Sequence, residues 1–279
     1  MEDDEEALLR EAALKNAHSI FLVRQRAEHE QVRVTEALAE ARDAAQAAND
    51  AKTRFVGMVS HELRTPLGAI GGYAALMEEE IHGPLSDDQR HLLSRIRHIQ
   101  LHLLRLVDEL LDLAKIESGQ FGMRPTVVHI PGVVENVRRM IEPQLSAGGL
   151  RLEVGANEGN PQVRADAERV EQIVLNLLAN AVKFTPSGGT ISVWSEVGEA
   201  EVFLHVRDTG PGIPPDKLEE VFQPFVQLRA PAAPTVAGTG LGLAISRELA
   251  RAMRGGLSCK SEPGAGSSFT LRLPVHSSD

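Results

Sequence analysis

The chain reaches residue 65 without a proline, and its early apolar side chains recur every seven positions. Ala13, Ile20, Ala27, Val34, Ala41, Ala48 and Phe55 form one column. Val23, Ala37, Ala44, Ala51 and Met58 form a second, three positions after members of the first. Asn16 and Glu30 interrupt that second column. Ala, Glu, Arg and Gln favour a helix, and an Ala-rich seam of this kind is buried only against another helix, so the pattern predicts a coiled coil. The register then slips. The next position of the first column is Glu62, whereas the apolar stripe runs on through Val59, Leu63, Ile70 and Met77. Such a four-residue insertion locally unwinds a supercoil. It falls on His61, which lies about 200° around the helix from Val59 and Leu63. There it can receive a signal carried down the coil, and with Glu62 beside it the imidazole is available for proton or phosphoryl chemistry.

After a turn at 81–88, with Ser86 or Asp87 as candidate N-cap, a second helix follows. Leu92, Ile96, Ile99, Leu103, Leu106, Leu110 and Leu113 alternate steps of four and three, and Gly119 is a candidate C-cap. Two helices with one apolar stripe each make a hairpin open on one side. Two copies close a four-helix bundle, so burial alone predicts a homodimer. His82, His91, His98 and His102 lack a carboxylate or cysteine at ligand spacing and are not read as a metal site.

Composition narrows the class. The 279 residues suffice for two domains, and with 4% aromatic residues the cores must be aliphatic. A formal charge of -10 argues against a nucleic-acid partner. The single Cys259 excludes an internal disulfide or a zinc cluster and fits a reducing compartment. No apolar run has the length of a transmembrane segment, and the acidic start is unlike a signal peptide. A soluble, cytoplasmic chain is expected.

Residues 119–125 read as an interdomain linker. Beyond it the spacing predicts helices at 130–146, 166–184 (N-cap Asp166) and 241–253, and strands at 151–154, 162–165, 190–196, 201–208, 256–260 and 268–273. Pairs of strands between helices indicate an α+β layer, in contrast to a parallel doubly wound sheet. Three segments here carry chemistry. Asn176 and Asn180 lie at i and i+4, with Lys183 on the neighbouring row; amide oxygens can ligate Mg²⁺ and the ammonium can reach a phosphate. Asp208 ends a strand before Thr-Gly-Pro-Gly-Ile, where Gly210 and Gly212 admit a sharp turn or a close ligand and the carboxylate can accept from an amino-purine. Gly238-Thr-Gly-Leu-Gly-Leu opens a helix whose N–H groups can hold phosphates. Neither the dinucleotide fingerprint nor the P-loop pattern is matched.

Taken in order, SHELRTPL, NLLANAVKFTP, DTGPGI, FQPFVQ and GTGLGLAIS resemble the H, N, G1, F and G2 boxes of bacterial sensor histidine kinases. The resemblance covers roughly residues 33–275. It implies a coiled-coil signalling helix (1–50), a dimerisation and phosphotransfer hairpin (51–118), the linker, an ATP-binding α/β sandwich of the GHKL (Bergerat) type (126–276) and a short tail (277–279). It further implies His61 as phospho-acceptor, Glu62 as its base or orienting acid, and Thr65 as the residue supporting phosphatase action. Asn176 and Asn180 match the magnesium-binding asparagines, Lys183 a phosphate contact and Asp208 the acceptor of the adenine amine. Gly210, Gly212, Gly238, Thr239, Gly240, Leu241 and Gly242 match the lid and phosphate loops, and Phe222 and Phe225 the aromatic lid anchors. ATP and Mg²⁺ are the implied cofactors, and a response regulator receiver domain the implied partner. Input is expected from a separate sensor or a further N-terminal domain. The chain departs from the family pattern at Ala237-Gly238, where a second glycine is common, and at 228–237, where Arg229 is the sole basic residue. A stand-alone phosphotransfer hairpin has no use for the Asn and Gly set, and another GHKL ATPase leaves SHELRTPL unexplained.

Overall fold

The computed structural model describes residues 2–81, 83–118, 122–157, 161–228 and 239–276. Gly119, His82, Gly238 and the tail therefore lie outside the described residues, as do Arg229 and most of the segment 228–237. Two compact units divide the chain, Met1–Arg54 and Phe55–Asp279. The heptad stretch belongs to α1 (Glu2–Glu78), which also contains Pro66. The side chains of Ala13, Asn16, Ile20, Val23 and Ala27 are outside the description, whereas Val32, Val34 and Leu38 are exposed. Among the described residues no helix is long and apolar enough to cross a membrane.

Within the second unit, α2 (Asp87–Glu117) completes the hairpin. Its start is a reciprocal cap, with Ser86 Oγ accepting from the Gln89 N–H and the Gln89 side chain accepting from the Ser86 N–H. The hairpin is open on one side, as its stripes predict, although Leu113 is buried and Leu106 and Leu110 are half-buried. Phe55 is 61% exposed, and Leu63, Ile70, Met77, Leu92, Ile96, Ile99 and Leu103 are exposed with it. The face turned to α2 is instead built of small residues. Ser60 and Ala74 are buried, and a methyl group added at Gly71 would stand 3.0 Å from the buried Gln100 amide. Ion pairs Arg64–Asp108 (2.5 Å), Arg97–Glu78 and Arg90–Glu80 flank this seam.

The remainder is an α/β sandwich. Five strands run in the order β2-β4-β5-β7-β6: β2 (Arg151–Asn157), β4 (Thr190–Val197), β5 (Glu201–Asp208), β6 (Gly256–Glu262) and β7 (Gly266–Pro274). β2 and β4 are parallel and the other pairs antiparallel. Helices α3 (Ile130–Gly148), α4 (Ala167–Phe184) and α5 (Gly242–Ala252) supply Val137, Ile141, Ile173, Leu177 and Leu249 to one core with Ile191, Leu204 and Leu271 of the sheet. Leu113 of α2 belongs to the same core. A small antiparallel sheet joins β3 (Gln162–Ala165) to β1 (Thr126–His129); the sequence reading does not include β1. Asp166 caps α4 through Oδ1 at the Arg169 N–H (3.3 Å), and its Oδ2 accepts the Arg124 N–H at 2.9 Å. One carboxylate thus fixes both the helix start and the end of the linker.

Candidate nucleotide and phospho-acceptor site

Period two along β5 decides where Asp208 points. Val202, Leu204 and Val206 face the helices, and Asp208 follows in phase, 6% exposed. The β5–β7 register pairs Arg207 with Ser268, which sets Asp208 against the first residues of β7. Its Oδ1 accepts the Gly210 N–H at 2.8 Å and the Ser267 N–H at 3.4 Å. Oδ2 accepts none among the described residues and remains the free acceptor. Burial pushes this carboxyl above the ordinary range, opposed by those two N–H groups and by the Arg207 charge.

On α4 the inward stripe Val170, Ile173, Val174, Leu177, Leu178 and Ala181 is buried. Asn176, Asn180 and Lys183 form the half-buried row at its edge. The Asn176 Nδ2 donates to Ser246 Oγ of α5 at 2.9 Å. A methyl group at Gly242 would stand 2.3 Å from the Asn176 Oδ1, so that glycine lets the helix start meet the amide. The Asn180 side chain makes no hydrogen bond among the described residues. The Lys183 ammonium lies 4.9 Å above the Phe184 ring, and burial holds its pKa below the usual lysine range. At the far end of α4 the Phe184 carbonyl oxygen would be 2.9 Å from a methyl group at Gly210.

The predicted nucleotide set is therefore brought together: α5 meets Asn176, and the turn after Asp208 meets Phe184. The span from Asn176 to Phe184 is about 12 Å of helix, a length suited to a nucleotide with its phosphates. Gly212 (φ 73°) turns where a side chain would strike the Glu262 carbonyl oxygen. Gly240 (φ 73°) accepts the Phe225 N–H at 3.0 Å through its carbonyl oxygen, which ties together the residues flanking 229–238. Thr239 Oγ1 accepts the Leu241 N–H at 3.1 Å. Phe225 is 63% exposed with φ 66°, whereas Phe222 is a core residue, edge-on to Phe269 at 6.2 Å with the Arg247 guanidinium over its face. Leu241 is likewise fully buried and belongs to the hydrophobic core. Ser246, Ser261 and Ser267 were not singled out in the sequence. The phase of β7 could have flagged Ser267, and Ser246 closes the GTGLGLAIS segment; nothing local marks Ser261.

On the hairpin, the His61 and Glu62 side chains are each 77% exposed, with His61 Nδ1 at 3.5 Å from Glu62 Oε1. Thr65 Oγ1 donates to the His61 carbonyl oxygen at 3.3 Å.

A helical hairpin bearing an exposed histidine is thus followed by a layered domain in which α5 meets Asn176 and the turn after Asp208 meets the end of α4. Comparison with known families agrees. Residues 51–119 match the His Kinase A (phospho-acceptor) domain, and residues 165–277 match the histidine kinase-, DNA gyrase B- and HSP90-like ATPase family. The chain belongs to the histidine kinases. It is 38% identical over 240 residues to the non-motile and phage-resistance protein of Caulobacter vibrioides, covering 84% of this chain and 28% of that one. Identity to the histidine protein kinase DivJ of the same organism is 38% over 239 residues, 86% of this chain and 40% of the relative. The full-length structure of ShkA in complex with AMPPNP matches with a TM-score of 0.71 and 32% identity, covering 81% of this chain and 47% of that one. The chain thus spans less than half the length of these relatives.

Proposed function

We propose that the chain is the kinase portion of a sensor histidine kinase, which phosphorylates His61 from Mg-ATP and passes the phosphoryl group to an aspartate of a response regulator. The observation that carries this reading is the state of Asp208. Its Oδ1 is taken by two backbone N–H groups, while Oδ2 accepts no hydrogen bond among the described residues. Oδ2 then accepts the amine of adenine. The phosphates extend along α4 towards Lys183, Asn180 and Asn176 and the start of α5, where helix N–H groups favour anions. Gly210, Gly212, Gly238, Thr239, Gly240, Leu241 and Gly242 are assigned to the loops that border them, and Phe222 and Phe225 are assigned as the aromatic anchors of that region. The donor set fits a magnesium ion: among the described residues the Asn180 amide has no hydrogen-bond partner, and the Asn176 Oδ1 is free of the bond its Nδ2 makes. Asn176 and Asn180 would hold the ion, which neutralises phosphate charge when bound.

At the acceptor, Glu62 holds the proton on Nδ1, so the Nε2 lone pair of His61 is the nucleophile. Nε2 forms a bond to the γ-phosphorus as the bond to the bridging oxygen breaks, and ADP leaves with that electron pair. The Nδ1 proton is stabilised by, or passes to, Glu62. Thr65 is placed one turn from His61, where it supports removal of the phosphoryl group from the regulator. The exposed apolar faces of α1 and α2 form a four-helix bundle in a homodimer, and residues 1–50 form a coiled coil that delivers the signal of a separate sensor or a further domain. The domain limits follow as 51–118 for the hairpin, 119–125 for the linker and 126–276 for the ATP-binding domain, in a cytoplasmic setting. Titration with AMPPNP tests the site. Binding should require Asp208 and strengthen with Mg²⁺; binding indifferent to Asp208→Ala contradicts it.

A further inference from the structure

The hydroxyl of Ser261, near the end of β6, stands among groups whose hydrogen-bonding sense is fixed. The Ile213 N–H can only donate, and it reaches Ser261 Oγ at 2.7 Å. The Gly266 carbonyl oxygen can only accept, and it lies 2.8 Å from the same Oγ. The Ser261 proton is therefore committed to Gly266, and Ser267 Oγ, 3.0 Å away, must donate to Ser261. Two segments meet at this one atom: the turn that follows Asp208, and the start of β7 that carries the Ser267 N–H. A further backbone bond joins them, from the Gly264 N–H to the Pro211 carbonyl oxygen at 2.7 Å. There is no slack between them, since a methyl group at Gly266 would come within 1.9 Å of the Asp208 carbonyl oxygen.

We infer that Ser261 is a positioning residue for base selection: it holds Gly266 and Ser267 so that the Ser267 N–H engages Asp208 Oδ1 and Oδ2 is left facing the nucleotide. The inference rests on the nucleotide reading above. At 3.4 Å the Ser267 bond is the longer of the two on Oδ1, and it depends on where β7 begins. With Ser261 lost, the Ile213 N–H, the Gly266 carbonyl and the Ser267 hydroxyl all lose their shared partner. The carboxylate is then held by Gly210 alone and can rotate Oδ2 away from the base. Adenine presents an amine to that oxygen, whereas guanine presents a carbonyl, which gains nothing from it. Removing the hydroxyl should therefore weaken adenine nucleotides selectively.

The experiment is calorimetric titration of the full chain with AMPPNP and with GMPPNP, for wild type, Ser261→Ala, Ser261→Thr and Ser261→Cys. Ser261→Ala is expected to weaken AMPPNP by about tenfold, the value of one charge-assisted hydrogen bond, with GMPPNP unchanged. Ser261→Thr should keep the wild-type preference, and Ser261→Cys, a weaker partner of similar size, should fall between. An AMPPNP-to-GMPPNP ratio that stays at the wild-type value in Ser261→Ala, or in Ser261→Cys if the alanine variant does not fold, overturns the inference while leaving the nucleotide site intact. Wild-type protein that binds neither ligand overturns the nucleotide reading and the inference together. A lower melting temperature with an unchanged ratio assigns Ser261 a structural role only and also overturns it.

Discussion

Asn176 of α4 and Ser246 of α5 share a hydrogen bond of 2.9 Å across 70 residues of chain. The bond fastens the helix that carries the candidate metal ligands to the helix whose start is the candidate phosphate site. Ser246 is buried, so its loss leaves the amide Nδ2 without that partner. Ser246→Ala is expected to destabilise the ATP-binding domain by about 1 kcal/mol, read as a lower midpoint in urea. It should also raise the Mg²⁺ concentration needed for nucleotide binding, because the Asn176 amide is then free to turn.

Asp208 should show a conflict between stability and binding. Burial holds its folded pKa above the unfolded value. A carboxyl raised in this direction contributes stability that is fully present below the unfolded pKa and is lost as pH rises through the folded one. At neutral pH the ionised group is therefore a net cost to the ligand-free fold. Asp208→Asn should melt higher than wild type at pH 7, with the difference shrinking in acid below the carboxylate range. Adenine nucleotide binding should be lost, since an amide N–H would then face the base amine. Thermal melts across pH, paired with AMPPNP titration, check both halves.

Two glycines separate backbone need from mere absence of a side chain. Gly212 has φ 73°, and a methyl group there would meet the Glu262 carbonyl oxygen at 2.1 Å. Gly212→Ala should cost more than about 1–2 kcal/mol, the left-handed penalty alone, and weaken nucleotide binding. Gly132 in α3 has nothing within 4 Å of an added methyl group. Gly132→Ala should be stabilising by about 0.5 kcal/mol. Chemical denaturation of both variants makes the comparison.

The hairpin exposes Ile70 on α1 and Ile99 on α2 among the stripes that the sequence marks as apolar. If these faces close a four-helix bundle, Ile70→Glu with Ile99→Glu should convert a dimer to a monomer in sedimentation, while AMPPNP binding by the sandwich is retained.

What the sequence made legible follows from how each feature is encoded. The α4 stripe, the Asp166 cap and the alternation of β5 are local patterns, and each appears where its period places it. The candidate nucleotide residues are legible because Asn176, Asp208 and the glycines sit in ordered motifs. The α1 side of the hairpin seam is hidden, because Gly57, Ser60, Gly71 and Ala74 carry little hydrophobic signal, while Phe55, Leu63, Ile70 and Met77, which do carry it, are exposed. β1 was missed because Thr126–His129 is four residues long and gains its partner only from β3. The hydrogen-bond roles of Ser246 and Ser261 are invisible for a related reason. A serine has no pattern of its own, and its partners, Asn176 and Ile213, lie 70 and 48 residues away.

In the proposed reaction His61, exposed beside Glu62 at 3.5 Å, takes the γ-phosphoryl group of the nucleotide held at Asp208. The most direct measurement is incubation of the purified chain with γ-labelled ATP and Mg²⁺. The account predicts covalent label that is stable to alkali and labile to acid, absent from His61→Gln and from Asp208→Ala. Protein that takes up no label, or label that persists in His61→Gln, would contradict it.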